Sequence, residues 1–444
     1  MKKKNAIIIA VVMLLTAAII GGIVMLAILG FNLFGRKPDS LFPYDAALSS
    51  GYTGTETDYL ASQDTPSTRE RKCYEDAVAS GAFSGTYLEF LQQFSSTGVD
   101  DSIAVNEAFT SVVCIESAFS GSYSRGSGII YSLDKTAGTA YIITNYHVVC
   151  SSYGMARSIS VYLYGEYGTN PISATFYGGV MDYDIAVLKV TNATAFKETD
   201  TNRVYAQAVT VADSDSVTVG ERVYALGNPN GEGFSVTGGV VSVLSEYVTV
   251  LRADERAQIS LPEIRTDAAV NHGNSGGGLF NAEGELVGIV NARAEYADPD
   301  KKTIPLYGFG YAIPANLAVS IAQNVIDNDG RAVVARLGIT VSVYDSKGIY
   351  DEERSKYYVQ EKIVVESVTS GSAASGLRRT DTLLSARLVQ GGKEKTVELT
   401  LRVMLHALLY EVRQGDVLEL TYSRDNDIQT LSISFNASNF EAVG

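Results

Sequence analysis

Apolar and polar positions divide the chain into four stretches. Residues 6–34 form a run of 29 without a charged side chain. Residues 35–104, rich in Ser, Thr, Gly and Asp, show no sustained apolar period. From about residue 105, short β-rich runs alternate with glycine and Asn or Asp turns: Ser111–Val113, Gly128–Tyr131, Ser158–Tyr164, Ile185–Val190, Val223–Leu226 and Val236–Leu244. Repeated short strands of this kind predict barrels or sandwiches. Pro314 to Asp327 reads as a helix, ended by Asn328-Asp329-Gly330. Beyond Arg331 come strand-like runs at Leu337–Val341, Ile363–Val368, Val417–Tyr422 and Leu431–Phe435, with a helix expected from about Val397 to Val412. Together these compose a small α/β module.

The first stretch is long enough to cross a bilayer, since about 20 helical residues span the hydrocarbon core. A cleavable signal peptide would have an apolar part of about 7–15 residues before a small-residue site, so an uncleaved anchor is the expectation. Three lysines and the amino terminus precede the run, and Arg36 and Lys37 follow it. The positive-inside rule then leaves residues 1–5 in the cytoplasm and the rest of the chain beyond the cell membrane, single-pass. Residues 35–104 read as a stalk. Within it Ser67-Thr68-Arg69-Glu70 and Thr86-Tyr87-Leu88-Glu89 each fit a capping box, predicting short helices at about 70–80 and 87–95.

Composition narrows the classes of function. The chain has 444 residues, 46% hydrophobic, and a formal net charge of −15, with no basic cluster outside its extreme N-terminus. Phosphate binding needs a basic footprint, so nucleic acid is not an expected partner. The three cysteines, Cys73, Cys114 and Cys150, are too few for a disulfide scaffold. Cys114 and Cys150 are open to two readings, a bridge bracing the turn after His147 or two buried thiols. Three scattered histidines and no C-x-x-C give no zinc spacing, so neither metal nor cofactor is expected.

The chemistry concentrates in Gly273-Asn274-Ser275-Gly276-Gly277. A serine hydroxyl is a poor nucleophile unless a base takes its proton and donors hold the oxyanion. Flanking glycines let backbone amides converge on one point. Upstream, Tyr141 to Val149 is a β-rich run ending on His147, and Met181 to Val190 places Asp184 at the mouth of an apolar strand. Histidine can take the serine proton while a buried aspartate fixes its tautomer. The pentapeptide also satisfies G-x-S-x-G, but the nucleophile elbow needs a histidine after the serine. Only His406 follows, in a differently patterned segment, and the order His, Asp, Ser is that of the two-barrel proteases.

On these residues the sequence resembles the HtrA (DegP-like) family of serine proteases, a trypsin-like domain followed by a PDZ domain. The matching stretches are TNYHVV at 144–149, DYDIAVLKV at 182–190, VADSDSVTVGERVYALGNP at 211–229, SVTGGVVS at 235–242, TDAAVNHGNSGG at 266–277 and YGFGYAIP at 307–314. The resemblance implies a mainly β fold: a double β-barrel protease domain over 105–330 with its cleft between barrels, then an α/β PDZ-like domain over 331–444. It makes His147 the general base, Asp184 its orienting carboxylate and Ser275 the nucleophile. The oxyanion hole falls on the turn Gly273, Asn274 and Ser275, and Arg336 with Leu337, Gly338 and Ile339 matches the loop that captures a chain-end carboxylate. The implied partners are unfolded or misfolded proteins, peptide chain ends and the membrane, in a homotrimer.

The chain also departs from the family pattern. His272 and Gly278 stand where prolines are usual, which loosens the restraint on the oxyanion loop. His272 is read as a surface polar residue rather than a second base. Arg379-Thr380-Asp381 replaces the usual Gly-Asp, so the PDZ ligand does not follow from the motif. Ala269, six residues before Ser275, predicts an apolar pocket taking small aliphatic side chains, with Asp267 two positions off the place of a basic-residue selector. Two function classes remain: an active endopeptidase, or a catalytically idle chaperone-like or peptide-binding scaffold.

Overall fold

Val- and Ile-rich runs with one face turned inward fold as strands around shared apolar interiors. The computed structural model describes residues 101–197, 206–291, 309–351 and 356–443, with Tyr74, Val78, Ser84, Tyr296–Ala297 and Thr303–Ile304. Strands β1 (Val112–Ala118), β2 (Tyr123–Asp134), β3 (Thr139–Asn145), β4 (Ser158–Tyr162), β5 (Ile172–Val180) and β6 (Ile185–Val190) close a barrel in the order β1-β2-β3-β6-β5-β4. Strands β7 (Arg222–Gly227), β8 (Ser235–Leu251), β9 (Gln258–Thr266), β10 (Gly278–Phe280), β11 (Leu286–Val290) and β12 (Gly310–Pro314) close a second, in the order β8-β9-β12-β11-β10-β7. Ile115, Ile142 and Leu188 fill the first interior, Val223, Ile264 and Leu279 the second. The double barrel of the sequence reading is therefore present.

Strand β8 continues past the expected Leu244 because Tyr247-Val248-Thr249-Val250 extends the β-branched pattern opposite β9. Asp101, four residues ahead of 105, already belongs to the unit that holds the barrels. Helix α1 (Asp101–Ala108) is pinned to the second barrel by Asp101, which accepts from Arg222 Nη1 at 2.8 Å and pairs with the Tyr224 hydroxyl. A one-turn helix α2 (Tyr146–Val149) follows β3, and α3 (Ala315–Asp327) follows Pro314, whose extended φ/ψ lets it end β12 and precede the helix.

Downstream, β13 (Ala332–Ala335) pairs with the final strand β20 (Phe440–Val443). A sheet runs β14 (Ile339–Asp351), β15 (Lys356–Val368), β16 (Thr382–Gln390), β18 (Val417–Arg424), β19 (Asp427–Ser434), with β17 (Lys393–Glu398) beside β16. Helix α4 (Arg402–Glu411) packs against α3. The helix expected from Val397 thus begins at Arg402. Thr396 and Val397 pair with Arg387 and Ala386 across the Gly391-Gly392 turn, and this ladder outcompetes the helical period.

One apolar cluster runs without a break from the barrel seam through α3 and α4 into this module, and Asp101–Gly444 forms one compact unit. Buried Asn324 of α3 is a polar tie within it. Its Nδ2 donates to the Val333 carbonyl at 2.8 Å and the Tyr410 carbonyl at 2.6 Å, and its Oδ1 accepts from Val333 N at 2.8 Å. A second tie reaches the first barrel: the Tyr183 hydroxyl and His406 Nδ1 lie 3.2 Å apart, and the Tyr183 ring packs edge-on against Tyr410. Burial, reinforced by Tyr247, pushes the Tyr183 phenol up to about 12, so it donates. Burial, with Arg402 nearby, lowers His406 from 6.5 to about 4, leaving it neutral and able to accept.

No helix among the described residues is long and apolar enough to cross a membrane. The apolar run 6–34 and the cytoplasmic tail lie outside the described residues. So do the stalk helices, apart from Tyr74 and Val78, both helical. Cys114 and Cys150 are free buried thiols, which excludes the bridge reading for this structure.

Two outcomes are expected from this packing. Asn324→Ala strands buried backbone groups and lowers unfolding stability by about 3 kcal/mol in urea titration; a loss below about 1 kcal/mol contradicts the tie. For His406 the folded value lies below the unfolded one, so the unfolded chain binds the extra proton between the two. Its stabilising contribution is whole above about 6.5 and is lost as pH falls toward 4. His406→Asn is therefore expected to flatten the drop in melting temperature across that window, and parallel wild-type and variant curves would contradict it.

Candidate active site

Asp184 terminates the 3-10 turn Met181–Tyr183 in the left-handed conformation, φ 52°, a region that Asp and Asn enter more readily than most side-chain-bearing residues. This reverses the chain into β6 and brings the carboxylate under α2. Asp184 is fully buried, and its charge is met by directed donors. Oδ1 accepts from the His147 backbone N–H at 2.9 Å, and Oδ2 lies 2.6 Å from His147 Nδ1. The Asp184 carbonyl accepts from Tyr146 N at 3.0 Å and Asn145 Nδ2 at 3.1 Å. Ring and backbone of His147 are thus fixed by one residue. With Nδ1 held by the carboxylate, Nε2 is the nitrogen left to exchange a proton.

The serine turn comes from the second barrel and seats against the first. Ser127 of β2 donates its N–H to the Ser275 carbonyl at 2.8 Å and its hydroxyl to the Gly273 carbonyl at 2.8 Å, while accepting from Asn228 N at 2.9 Å. Gly276 shows why only glycine serves beside the serine. Its φ is +82°, and a Cβ there would drive into Thr144 Oγ1 and the Ser127 carbonyl, at the β3 end that carries α2. Gly273, at φ +98°, sits equally close to the Asn228 carbonyl. Ser275 is 5% exposed and lies in this turn beside the His147 segment: Gly126 faces both Val148 and the Ser275 carbonyl.

The proposed oxyanion set divides on hydrogen bonding. Asn274 donates its N–H to the Asn271 carbonyl at 3.0 Å, a bond within the turn itself. Gly273 N–H has no backbone acceptor among the described residues. His272 is exposed, its carbonyl accepting from Asn230 N at 2.6 Å, which steadies the loop where a proline is absent. Gly278 leaves space that the buried Phe280 ring fills, a packing reason for its lack of a side chain. Asp267 spends its carboxylate on Val240 N at 2.6 Å, and Ala269 is exposed with its carbonyl taken by Thr237. Among the described residues no group of His, Cys, Asp and Glu is arranged to hold a metal ion.

Leu337, Gly338 and Ile339 lie elsewhere, at the junction of β13 and β14. They line a cavity of about 500 Å³ together with Leu405 and His406 of α4 and with Tyr183 from the first barrel. Leu337 and Gly338 donate to no backbone carbonyl among the described residues, while their own carbonyls accept from Ala374 and Thr369. The contact between this cavity and the turn before Asp184 was missed from sequence. Its signal, a tyrosine next to the aspartate, has no partner until the fold supplies α4.

The trypsin-like peptidase domain family matches residues 126–289. The serine protease Do-like HtrA of Lactococcus lactis subsp. cremoris is 32% identical over 321 residues, 71% of either chain. The periplasmic pH-dependent serine endoprotease DegQ of Escherichia coli is 32% identical over 262 residues, covering 59% of this chain and 50% of that protein. A solved HtrA-type protease AlgW with tripeptide aligns at a TM-score of 0.47 and 26% identity, over 76% of this chain and 97% of that one. The chain belongs to the HtrA family of trypsin-like serine proteases and is a serine endopeptidase.

Proposed function

We propose that this endopeptidase is membrane-anchored and hydrolyses peptide bonds in unfolded or damaged envelope proteins through Ser275, His147 and Asp184. The observation that carries the reading is the double hold of Asp184 on His147, at 2.9 and 2.6 Å, beside the turn bearing Ser275. In the acylation step His147 Nε2 takes the Ser275 Oγ proton as Oγ bonds to the substrate carbonyl carbon. The carbonyl electrons move to oxygen, held by the Gly273 and Ser275 N–H groups. The imidazolium then protonates the leaving amine as the C–N bond breaks. Water repeats the sequence on the acyl-enzyme, and serine leaves with the proton.

Ala269 favours small aliphatic residues before the scissile bond, since no carboxylate stands at that pocket position to attract a basic side chain. The module from 331 onward is a PDZ-like unit whose Leu337 and Gly338 amides receive a chain-end carboxylate. The uncharged run 6–34 supports anchoring, with the catalytic part outside the cell membrane.

The test is covalent. An organophosphonate added to the full chain is expected to phosphonylate Ser275, and His147→Ala to slow labelling by about a thousandfold or more. Absence of labelling in the wild type, or equal rates in both, contradicts the relay.

A further inference from the structure

Strand β2 carries an exposed guanidinium at the edge of the serine turn. Only from Ile129 onward does β2 pair with β3; its first half pairs with β1 alone. Ser127 turns its N–H away from β1, onto the Ser275 carbonyl at 2.8 Å. Backbone direction alternates along an antiparallel strand, so Arg125, two residues earlier, turns its own N–H and carbonyl the same way, toward the cleft. Its side chain shares a face with Ser127 and reaches the second barrel, where a Cβ on Gly231 would run into Arg125 Cδ. Gly231 belongs to the turn Pro229–Gly231, whose Asn230 N–H holds the His272 carbonyl at 2.6 Å, next to Gly273.

The guanidinium is only partly engaged. Its Nε donates to Glu116 Oε1 at 3.0 Å across the β1–β2 ladder, where the two residues stand opposite. Glu116 is steadied in turn by the Tyr162 and Tyr167 hydroxyls, which donate to it at 3.0 and 3.2 Å. Nη1 and Nη2 have no hydrogen-bond partner among the described residues, and the side chain is 53% exposed.

We propose that Arg125 is a specificity-determining residue on the leaving-group side of the cleft, selecting an Asp or Glu carboxylate at the second substrate residue after the scissile bond. The proposal rests on the relay described above. The leaving amine lies beside His147, which protonates it, and Gly126 is the β2 residue that faces both Val148 and the Ser275 carbonyl. The first residue of the leaving half therefore crosses Gly126. One strand step of about 3.3 Å further, the second comes opposite Arg125, whose outward N–H and carbonyl are placed to pair with its backbone. Residues directly opposite in such a pair present their side chains on one face. That brings the substrate carboxylate to the unengaged Nη groups in a charge-assisted contact. Glu116 already offsets the charge of Arg125, so selection comes from this short-range contact, and a carboxylate one position further along gains little.

The test uses the full chain and internally quenched peptides with Ala or Val before the scissile bond. Their C-termini are amidated, so that no chain-end carboxylate competes at the loop 337–339. With Glu, Gln or Lys as the second leaving residue, kcat/KM is expected to be about fivefold higher for Glu than for Gln, and lower again for Lys. Glu at the third position gives no such gain. In Arg125→Gln the Glu-to-Gln ratio falls to about one, and in Arg125→Glu the order reverses in favour of Lys. Equal rates for Glu and Gln in the wild type, or a preference that survives Arg125→Gln, overturn the proposal. Should Arg125→Gln not fold, Arg125→Lys, which keeps the charge without the planar fork, decides: a preference at least halved supports the proposal, and an unchanged one overturns it.

If the wild type cleaves none of these peptides, the relay reading fails, and fluorescence anisotropy of the same peptides on the Ser275→Ala protein decides the role of Arg125. Binding about threefold tighter for Glu than for Gln, lost in Arg125→Gln, supports it. Equal affinities overturn it.

Discussion

The site depends on one aspartate making two hydrogen bonds to one histidine. Asp184 grips both the backbone and the ring of His147, so position and orientation of the imidazole are not independent variables. A fully buried carboxylate is costly without partners. Here the N–H groups that neutralise it belong to the residue it must hold. Its left-handed conformation aims the carboxylate at α2 while its carbonyl caps the same turn through Tyr146 and Asn145.

Two consequences follow for the rest of the molecule. The serine turn has to be brought from another barrel, and the seam does this with Ser127, whose amide and hydroxyl both reach the turn. Gly276 then fits against the end of β3 because nothing larger would. The residue before Asp184 also matters. Tyr183 is half-buried between the first barrel and α4, so the module carrying Leu337 and Gly338 touches the segment that leads into Asp184. A change at that cavity has a short covalent path to Asp184.

Much of this was legible from residues alone. The strand runs at 128–131, 185–190 and 223–226 fall inside observed strands, because β-branched runs between glycine turns have few other ways to bury themselves. His147, Asp184 and Ser275 stood out through motif and order. Less visible were features set by long-range contact. The start of α4 depends on β17 pairing with β16, the Asn274 N–H is taken by a turn hydrogen bond, and α1 joins the barrels through an ion pair more than a hundred residues away in sequence. Glu263 gave no signal, since nothing in the sequence marks a carboxyl that the fold buries completely.

The central claim is that the Asp184 carboxylate, and not merely the shape of its side chain, sets the tautomer of His147. Measuring kcat/KM of Asp184→Asn at neutral pH tests it most directly, with melting temperature as the control for folding. The account predicts a loss of about ten-thousand-fold at nearly unchanged stability. Activity within tenfold of the wild type would contradict it.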